Sequence, residues 1–308
     1  MGVSTSNNQE FIRLDVWSQE IKEILQEELM ADAAVNWISD FPDGNEIHIP
    51  SLSELNVRPY VEGDEVVLDD ISTGEFTLTI DKYYNTGFII YDKFKQDSFY
   101  INQVKSKFVQ GITRALMEQK EADIFGLQSK QTASDPNNIN SFAHRVAGSG
   151  TGGAIAVQDI AKAKVALDKA NVPKTGRVAF VDPISAYQLV TVDQVIRQDV
   201  YGNNARLKEG TEGQSFLGRY LGFDFYESNF LDTDSGLTNI DGTVSVTDPV
   251  YNVFAGTETF IGAMRLQPEL ESWRVPEKKG DAYDGTMRYG IDLYRPESLV
   301  VLGTKSTI

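Results

Sequence analysis

The 308-residue chain contains no cysteine and only two histidines. The lack of thiols excludes disulfides, thiolate metal sites and cysteine nucleophiles at once. Basic residues are also few, because 28 Lys and Arg stand against 45 Asp and Glu, which gives a net charge of −17. A surface of that sign repels phosphate at long range, so a dedicated reader of DNA or RNA is not expected.

Long hydrophobic runs are missing as well. No stretch of the sequence approaches the ~20 apolar residues of a membrane-spanning helix. The polar start, residues 1–8, lacks the apolar run of a secretory signal. The remaining composition, 41% hydrophobic and 24% charged, is typical of a folded globular protein. We therefore expect a soluble protein that is made in a cytoplasm and has no membrane partner.

Residues 1–45 are predicted to form an arm that carries one amphipathic helix. The apolar residues that recur there at helical spacing are Trp17, Ile21, Ile24, Leu25 and Leu29. Pro42-Asp43-Gly44 has the turn chemistry that ends such a segment. The helix either docks on the core of its own chain or packs, as an arm, on a neighbouring subunit.

Residues 46–94 have the pattern of a long β-hairpin with an acidic tip. Ile47 and Ile49 alternate with polar residues, as do Phe76, Leu78 and Ile80. The tip between them, for which we predict a subunit interface, contains Glu62, Asp64, Glu65, Val66, Val67, Leu68, Asp69 and Asp70. A two-stranded ribbon is only marginally stable in water, so its apolar residues need a surface to cover them. The body of the same chain or another copy could supply that surface.

Residues 95–153 begin with the longest predicted helix. Apolar residues keep helical spacing from Ile101 to about Gln128, which corresponds to about 42 Å at 1.5 Å per residue. The polar stretch from Ser129 to Gly153 is predicted to be a linker. It ends in the glycine-rich run 148–153, which formally fits a dinucleotide-binding pattern. Because that pattern requires a buried strand directly before it, and none is evident, we do not expect a nucleotide site.

Residues 154–255 alternate helix and strand patterns in the manner of an α/β unit. A helix is predicted at 157–170 and a buried strand at 177–181, after which Asp182-Pro183 supplies the N-cap and first residue of another helix. Further strands are predicted at 221–225 and 251–255. Residues 256–308 are mostly strand-like, with strands expected at 259–266, 286–294 and 298–302. The chain shows no pattern of catalytic, cofactor-binding or metal-ligating residues, since the acidic turn at 232–236 lacks the EF-hand spacing.

The order of these segments resembles the major capsid proteins of tailed bacteriophages, which share the Hong Kong ninety-seven fold. The fragments that carry the resemblance are Trp17–Ile21, Thr77–Tyr84, Arg177–Tyr187 and Tyr289–Glu297. The resemblance lies in architecture and implies an α+β fold with five segments. These are an N-terminal arm (1–45), an extended hairpin called the E-loop (46–94), a P-domain spine helix and linker (95–153), an α/β A-domain (154–255) and return strands of the P-domain (256–308).

The resemblance also implies a structural function. Copies of the chain would assemble into hexamers and pentamers of an icosahedral shell that encloses double-stranded DNA, in a virion assembled in the host cytoplasm. Expected partners are the chain itself, portal and scaffolding proteins, a cement protein, and packaged DNA held non-specifically. No enzyme activity, cofactor or metal is implied. The E-loop would lie across the adjacent subunit, and we predict that its acidic residues meet basic residues there.

Some members of that family join subunits covalently through a hairpin lysine and a partner asparagine. This chain has no lysine between Lys22 and Lys82, so we predict no such cross-link.

Three other functions are compatible with the sequence. The first is an encapsulin, a bacterial nanocompartment of the same fold that encloses an enzyme. The second, from a different class, is a hydrolase or carbohydrate-active α+β enzyme that uses some of the many carboxylates. The third is a non-shell virion protein such as a tail component.

Overall fold

A computed structural model describes residues 29–39, 44–52, 57–59, 62–63, 73–97, 101–131, 138–139, 142–191, 216–233, 246 and 249–306. Its α-helices are α1 (Asp92–Asp97), α2 (Ile101–Gly126), α3 (Val157–Lys169) and α4 (Pro183–Thr191). Its strands are β1 (Val35–Ile38), β2 (Glu46–Leu52), β3 (Thr73–Thr79), β4 (Lys82–Tyr91), β5 (Asn138–Ile139), β6 (Phe142–Ala143), β7 (Arg145–Ala147), β8 (Val178–Val181), β9 (Phe216–Tyr220), β10 (Phe223–Glu227), β11 (Pro249–Ala255), β12 (Phe260–Val275), β13 (Gly280–Leu293) and β14 (Leu299–Lys305). The mixture of helices and sheets confirms the α+β class.

One half of the structure is a four-stranded sheet with the long helix α2 packed on one face. Its strand order is β1-β12-β13-β4, in which β1 runs parallel to β12 and the other neighbours are antiparallel. Ile112 and Leu116 of α2 lie against Gly285 of β13, where a Cβ would come within 2.2 Å of the Ile112 side chain. The helix is followed directly by a 3₁₀ turn at Leu127–Lys130, close to where the apolar periodicity predicts its end.

The other half is a six-stranded sheet of order β7-β14-β11-β8-β10-β9. Its central strands are buried along their whole length, as expected for a sheet with side chains packed on both faces. The predicted strand, cap and helix are confirmed at β8 and α4, where the Asp182 carboxylate accepts the backbone N–H of Ile184 at 3.0 Å. The end of α2 joins the two halves, since the Phe125 ring packs edge-on against Phe180 of β8 at 5.2 Å.

The predicted linker at 129–153 is wrong for its second part. Strand β7 pairs in parallel with β14, and all three of its residues are buried. The glycine-rich run that follows is a packed turn: the Gly148 N–H donates to the Gly303 carbonyl at 2.8 Å, and a Cβ on Gly148 would lie 2.5 Å from the Gly153 carbonyl oxygen. The glycines therefore permit close backbone packing, which polar composition alone does not reveal.

The predicted extents of the hairpin and of the return strands also differ from the structure. Only β2 and β3 pair with each other, whereas β4 pairs with β13 in the four-stranded sheet, so the ribbon does not continue to residue 94. The last strand, β14, lies in the six-stranded sheet between β7 and β11 rather than returning to the other half. Strands β12 and β13 form one hairpin of 16 and 14 residues, longer than the separate strands predicted at 259–266 and 286–294.

Candidate interface site

The paired part of the ribbon has one apolar and one polar face, as its alternation predicts. Ile47, Ile49, Phe76 and Leu78 belong to a hydrophobic cluster, while the residues between them are exposed. On the exposed face, His48 of β2 lies beside Glu75 of β3 and is half-exposed. The sequence thus predicts both the strand pairing and the direction in which each side chain points.

The base of the ribbon finds its hydrophobic cover on its own chain. Leu78 and Ile80 are buried against Ile261 and Ala263 of β12. Gly290 of β13 makes this approach possible, because a Cβ there would lie 2.3 Å from the Thr79 carbonyl oxygen. Of the two surfaces that could cover the ribbon, its own chain or another copy, its own chain covers the base.

At the tip of the ribbon, the few residues that the structure describes are exposed to solvent. Val57 is 99% exposed, and Glu62 is exposed as well. The other predicted interface residues lie outside the described residues; they are Asp64, Glu65, Val66, Val67, Leu68, Asp69 and Asp70. The arm residues Trp17, Ile21 and Leu25 also lie outside them. An apolar residue exposed as fully as Val57 gains no stability from its own chain.

Residues 30–38 lie within the arm predicted at 1–45, but they are anchored on α2 and, at β1, in the four-stranded sheet. The Met30 N–H donates to the buried Glu121 carboxylate at 3.4 Å, and the Lys120 ammonium donates to Asp32 at 2.7 Å. Lys120 also lies 5.2 Å above the Trp37 ring, within the range of a cation–π contact. The chain preceding Met30 therefore departs from a fixed point on the helix.

A second exposed surface lies at the far end of the four-stranded sheet, and sequence reasoning missed it. We call it the sheet tip and define it by Tyr91, Lys93, Trp273, Lys278 and Lys279, all of them exposed. The strand register places Trp273, Ala282 and Ile89 in one row across β12, β13 and β4, so their side chains share a face. The only signal in the sequence was a tryptophan, Trp273, within a mostly polar segment, residues 271–279.

Ion pairs hold the sheet tip together. The Arg274 guanidinium donates to Asp92 at 2.6 Å and to Asp281 at 3.1 Å, and the Lys95 ammonium also donates to Asp281. The hydrogen bond from Arg274 lowers the pKa of Asp92. Lys95 and then Arg274 lower the pKa of Asp281. Both carboxylates therefore stay ionised, and the start of α1 is fixed to the β12–β13 hairpin.

The helix and the sheet are joined by one carboxylate that serves two tyrosines. Asp123 Oδ2 of α2 accepts the Tyr84 hydroxyl at 3.0 Å and the Tyr289 hydroxyl at 2.8 Å. Burial, followed by the bond to Asp123, raises the pKa of Tyr84 to about 12, and the same causes raise the pKa of Tyr289. Both hydroxyls are thus protonated donors, and the cluster fixes α2 to β4 and β13.

A cavity of about 490 Å³ lies between α3 and β6, and its lining residues, which include Phe142, Lys162 and Val165, contain no carboxylate. Within the described ranges, no three histidine, aspartate or glutamate side chains are grouped so as to hold a metal ion. No described helix is long and apolar enough to cross a membrane.

The fold is that of phage capsid structures. A structure of the capsid of the cyanophage P-SCSP1u matches with a TM-score of 0.73 and 16% identity, over 97% of this chain and 94% of that chain. The capsid of Ralstonia phage GP4 matches with a TM-score of 0.69 and 13% identity, over 96% of each chain. A structure of Mycobacterium phage Che8 matches with a TM-score of 0.66 and 22% identity, over 94% of this chain and 97% of that chain. No protein-family model matches this sequence, and no curated protein does. The expectation of a Hong Kong ninety-seven type fold is confirmed.

Proposed function

We propose that this chain is the major capsid protein of a tailed bacteriophage. In this function its copies assemble into hexamers and pentamers of an icosahedral shell around double-stranded DNA. The observation that carries the proposal is the match to phage capsid folds along almost the whole of both chains. A match of that extent supports a structural protein rather than an enzyme.

The proposal assigns a part of the shell subunit to each part of the fold. The ribbon β2–β3 is the E-loop, the four-stranded sheet with α2 is the P-domain, and the six-stranded sheet with α3 and α4 is the A-domain. Of the residues 1–45 that the sequence predicts as the arm, this assignment keeps only those ahead of Met30, because β1 belongs to the four-stranded sheet. The exposed Val57 supports this assignment, because a ribbon tip without cover gains stability when a neighbouring subunit buries it.

The net charge of −17 also suits a container. A shell must enclose DNA without binding it tightly, and an acidic protein interacts only weakly with phosphate. Portal and scaffolding proteins and a cement protein complete the proposed set of partners, and we place assembly in the host cytoplasm.

Sedimentation of the purified chain, with negative-stain images of the heavy fraction, tests the proposal. We expect capsomers or closed shells with icosahedral symmetry, and nucleic acid rather than a protein cargo inside particles that are filled. A monodisperse, folded 34.2 kDa monomer at high concentration would overturn it. Shells that contain a cargo enzyme would instead identify an encapsulin.

A further inference from the structure

An open apolar groove lies beside α3 on the six-stranded half of the molecule. It has a volume of about 490 Å³ and is lined by Phe142 and Ala143 of β6, Val146 of β7 and the exposed face of α3. Val165, on that face, is 43% exposed. Burial of such side chains is favourable, so an apolar segment that entered this α3 groove would be stabilised there.

Two lysines flank Val165 on the same face of α3. Lys162 precedes it by three residues and Lys169 follows it by four, so the three side chains are neighbours on the helix surface. Both lysines are exposed. The Lys162 ammonium lies 3.5 Å from Asp159, and because an ammonium has three donors, it can bind a second carboxylate. The Lys169 ammonium lies 5.7 Å from the Phe142 ring, at the edge of the groove.

The helix predicted in the arm has the complementary pattern. Residues 17–29 contain four acidic residues and one basic residue, so their net charge is −3. Glu20 precedes Ile24 by four residues, and Glu27 follows it by three, so these three side chains also share one face of a helix. The segment thus offers two anions around an apolar residue, where α3 offers two cations around another.

The spacing of these charges fixes a direction. Both pairs are seven residues apart, which corresponds to about 10.5 Å along a helix. The central apolar residue lies three residues after the first charge in α3 but four residues after it in the arm helix. The two patterns therefore match when the helices are antiparallel, with Glu20 beside Lys169 and Glu27 beside Lys162.

The α3 groove of a molecule is out of reach of its own arm helix. Met30 is anchored on α2 through Glu121 and packs with the cluster on one face of the six-stranded sheet, whereas α3 packs on the other face. A sheet with a helix on each face sets the two helix layers about 20 Å apart. The three residues from Glu27 to Met30 span at most ~11 Å, so Glu27 cannot reach Lys162 of the same chain.

We propose that the α3 groove receives residues 17–29 of a second copy of the chain as an antiparallel helix. This inference rests on the proposed function and names a surface on which the arm docks. The apolar contact would supply most of the stabilisation, while the two exposed ion pairs set register and direction. Because the groove and the arm are different surfaces, the contact is head-to-tail, which closes a ring or continues from subunit to subunit.

Engineered cysteines test the register, because the chain has none of its own. Glu20→Cys, Glu27→Cys, Lys162→Cys and Lys169→Cys are made in separate chains, which are mixed in pairs, assembled and oxidised. A disulfide needs Cα atoms within about 7 Å of each other. We expect covalent dimers on a non-reducing denaturing gel from Glu20→Cys with Lys169→Cys and from Glu27→Cys with Lys162→Cys. The two swapped pairs are matched controls, about 10 Å out of register, and should give few dimers.

Charge reversal gives an independent test. Glu20→Lys with Glu27→Lys should reduce the yield of assembled particles at least several-fold, and so should Lys162→Glu with Lys169→Glu. A chain that carries all four substitutions should recover most of the yield, which general misfolding would not allow. Lys174→Glu, at an exposed lysine that does not line the groove, is the control and should leave the yield unchanged.

A third measurement reports whether anything covers the groove. A maleimide should label Val165→Cys at least several-fold more slowly in assembled particles than in the unassembled chain. Protection of this cysteine without any cross-link to the arm would mean that another occupant, such as a separate protein, fills the groove, and the proposal would be wrong.

The outcomes separate this inference from the proposed function. If the unmodified chain forms shells but the matched pairs give no more dimers than the swapped pairs, the docking of the arm helix is wrong and the shell function stands. Failure of the fourfold charge reversal to recover the yield would also count against the ion pairs. If the unmodified chain forms no assembly, the proposed function fails and this inference fails with it.

Discussion

At the residue scale, the Asp123 cluster illustrates how a single acceptor determines local geometry. Two tyrosines from neighbouring strands donate to the same carboxylate oxygen, and Gln119 donates to the other oxygen at 3.1 Å. Hydrogen bonds to an ionised group are the stronger kind. A partly buried carboxylate such as Asp123 that loses one of these bonds keeps its charge but loses part of the polar surroundings that stabilise it.

Tyr289→Phe tests this cluster. The substitution removes one donor without changing the shape of the ring, and Tyr289 is fully buried. We expect the free energy of unfolding to fall by about 1.5–3 kcal/mol, the usual range for a hydrogen bond to a charged group, as measured by denaturant titration. Tyr187→Phe, at a ring that is 57% exposed, is the control and should change stability by less than ~0.5 kcal/mol. An equal effect at both positions would show that the hydroxyl bond contributes nothing.

His144 predicts a pH dependence of stability. Its ring is fully buried, with its nitrogens 2.9 Å and 3.2 Å from the carbonyl oxygens of Phe142 and Glu297. Burial lowers the pKa of His144 below the ordinary 6.5, although the two carbonyls oppose the shift. The unfolded chain therefore takes up this proton first as the pH falls. The stability that the buried, neutral His144 ring contributes is therefore complete above pH 6.5. It decreases as the pH falls from 6.5 to the pKa of His144 in the folded chain.

His144→Gln should flatten that part of the stability curve. Unfolding free energies measured on both sides of pH 6.5 should differ less in the variant, with at most ~1.4 kcal/mol per pH unit attributable to one proton. His48→Gln is the control, because His48 is half-exposed on the ribbon. A wild-type slope that persists in His144→Gln would assign the pH dependence to other groups.

At the scale of elements, the packing of α2 on β13 involves two glycines, Gly111 in the helix and Gly285 in the strand. Their substitution by alanine should change the free energy of unfolding in opposite directions. Gly111 lies within α2 with nothing within 4 Å of an added Cβ, whereas a Cβ on Gly285 of β13 would collide with Ile112 of that helix. Gly111→Ala should stabilise the protein by roughly 0.5–1 kcal/mol through helix propensity. Gly285→Ala should destabilise it by about 1–3 kcal/mol through overpacking.

Thermal or denaturant unfolding of the two variants measures this pair of effects. The same sign for both would mean that α2 does not pack on β13 as described. Because the two variants carry the same chemical change, differences in chain entropy alone cannot explain opposite signs.

The elements that local patterns predict well are those whose side chains have one clear periodicity. Helix α2 follows from apolar residues at helical spacing, and β8 with α4 follows from an apolar run and a cap at Asp182. The ribbon strands follow from alternation. In each case the nearest neighbours in sequence are enough to determine the structure.

The missed elements depend on contacts between residues distant in sequence. Strand β7 has only three residues and is defined by pairing with β14, more than 150 positions later. Strand β1 is defined in the same way by pairing with β12, where Trp37 packs across Gly262. The sheet tip could not be recognised because Trp273 comes from β12, Lys278 and Lys279 come from the turn before β13, and Lys93 comes from the start of α1. Their proximity follows only from the register of β12, β13 and β4.

At the scale of the whole molecule, the ribbon combines two kinds of burial. Its base is fixed on its own sheet through Leu78 and Ile80, so the direction of the ribbon is set before any partner is present. Its tip keeps an apolar residue in solvent at Val57. A rigid base reduces the conformational entropy that association must remove, which favours assembly through the tip.

The cohesion of the proposed shell should be entirely non-covalent. The chain has no lysine between Lys22 and Lys82, so the ribbon, which lies between them, lacks the amine that would attack a partner asparagine. Cohesion must then come from apolar burial over obligate interfaces of 2,000 Å² or more and from ion pairs that salt weakens. Assembled particles boiled in detergent should therefore run as a single band at 34.2 kDa. High salt should loosen the particles before boiling, to a degree seen by sedimentation. A ladder of bands at multiples of that mass would show that another pair of side chains forms a covalent bond between subunits.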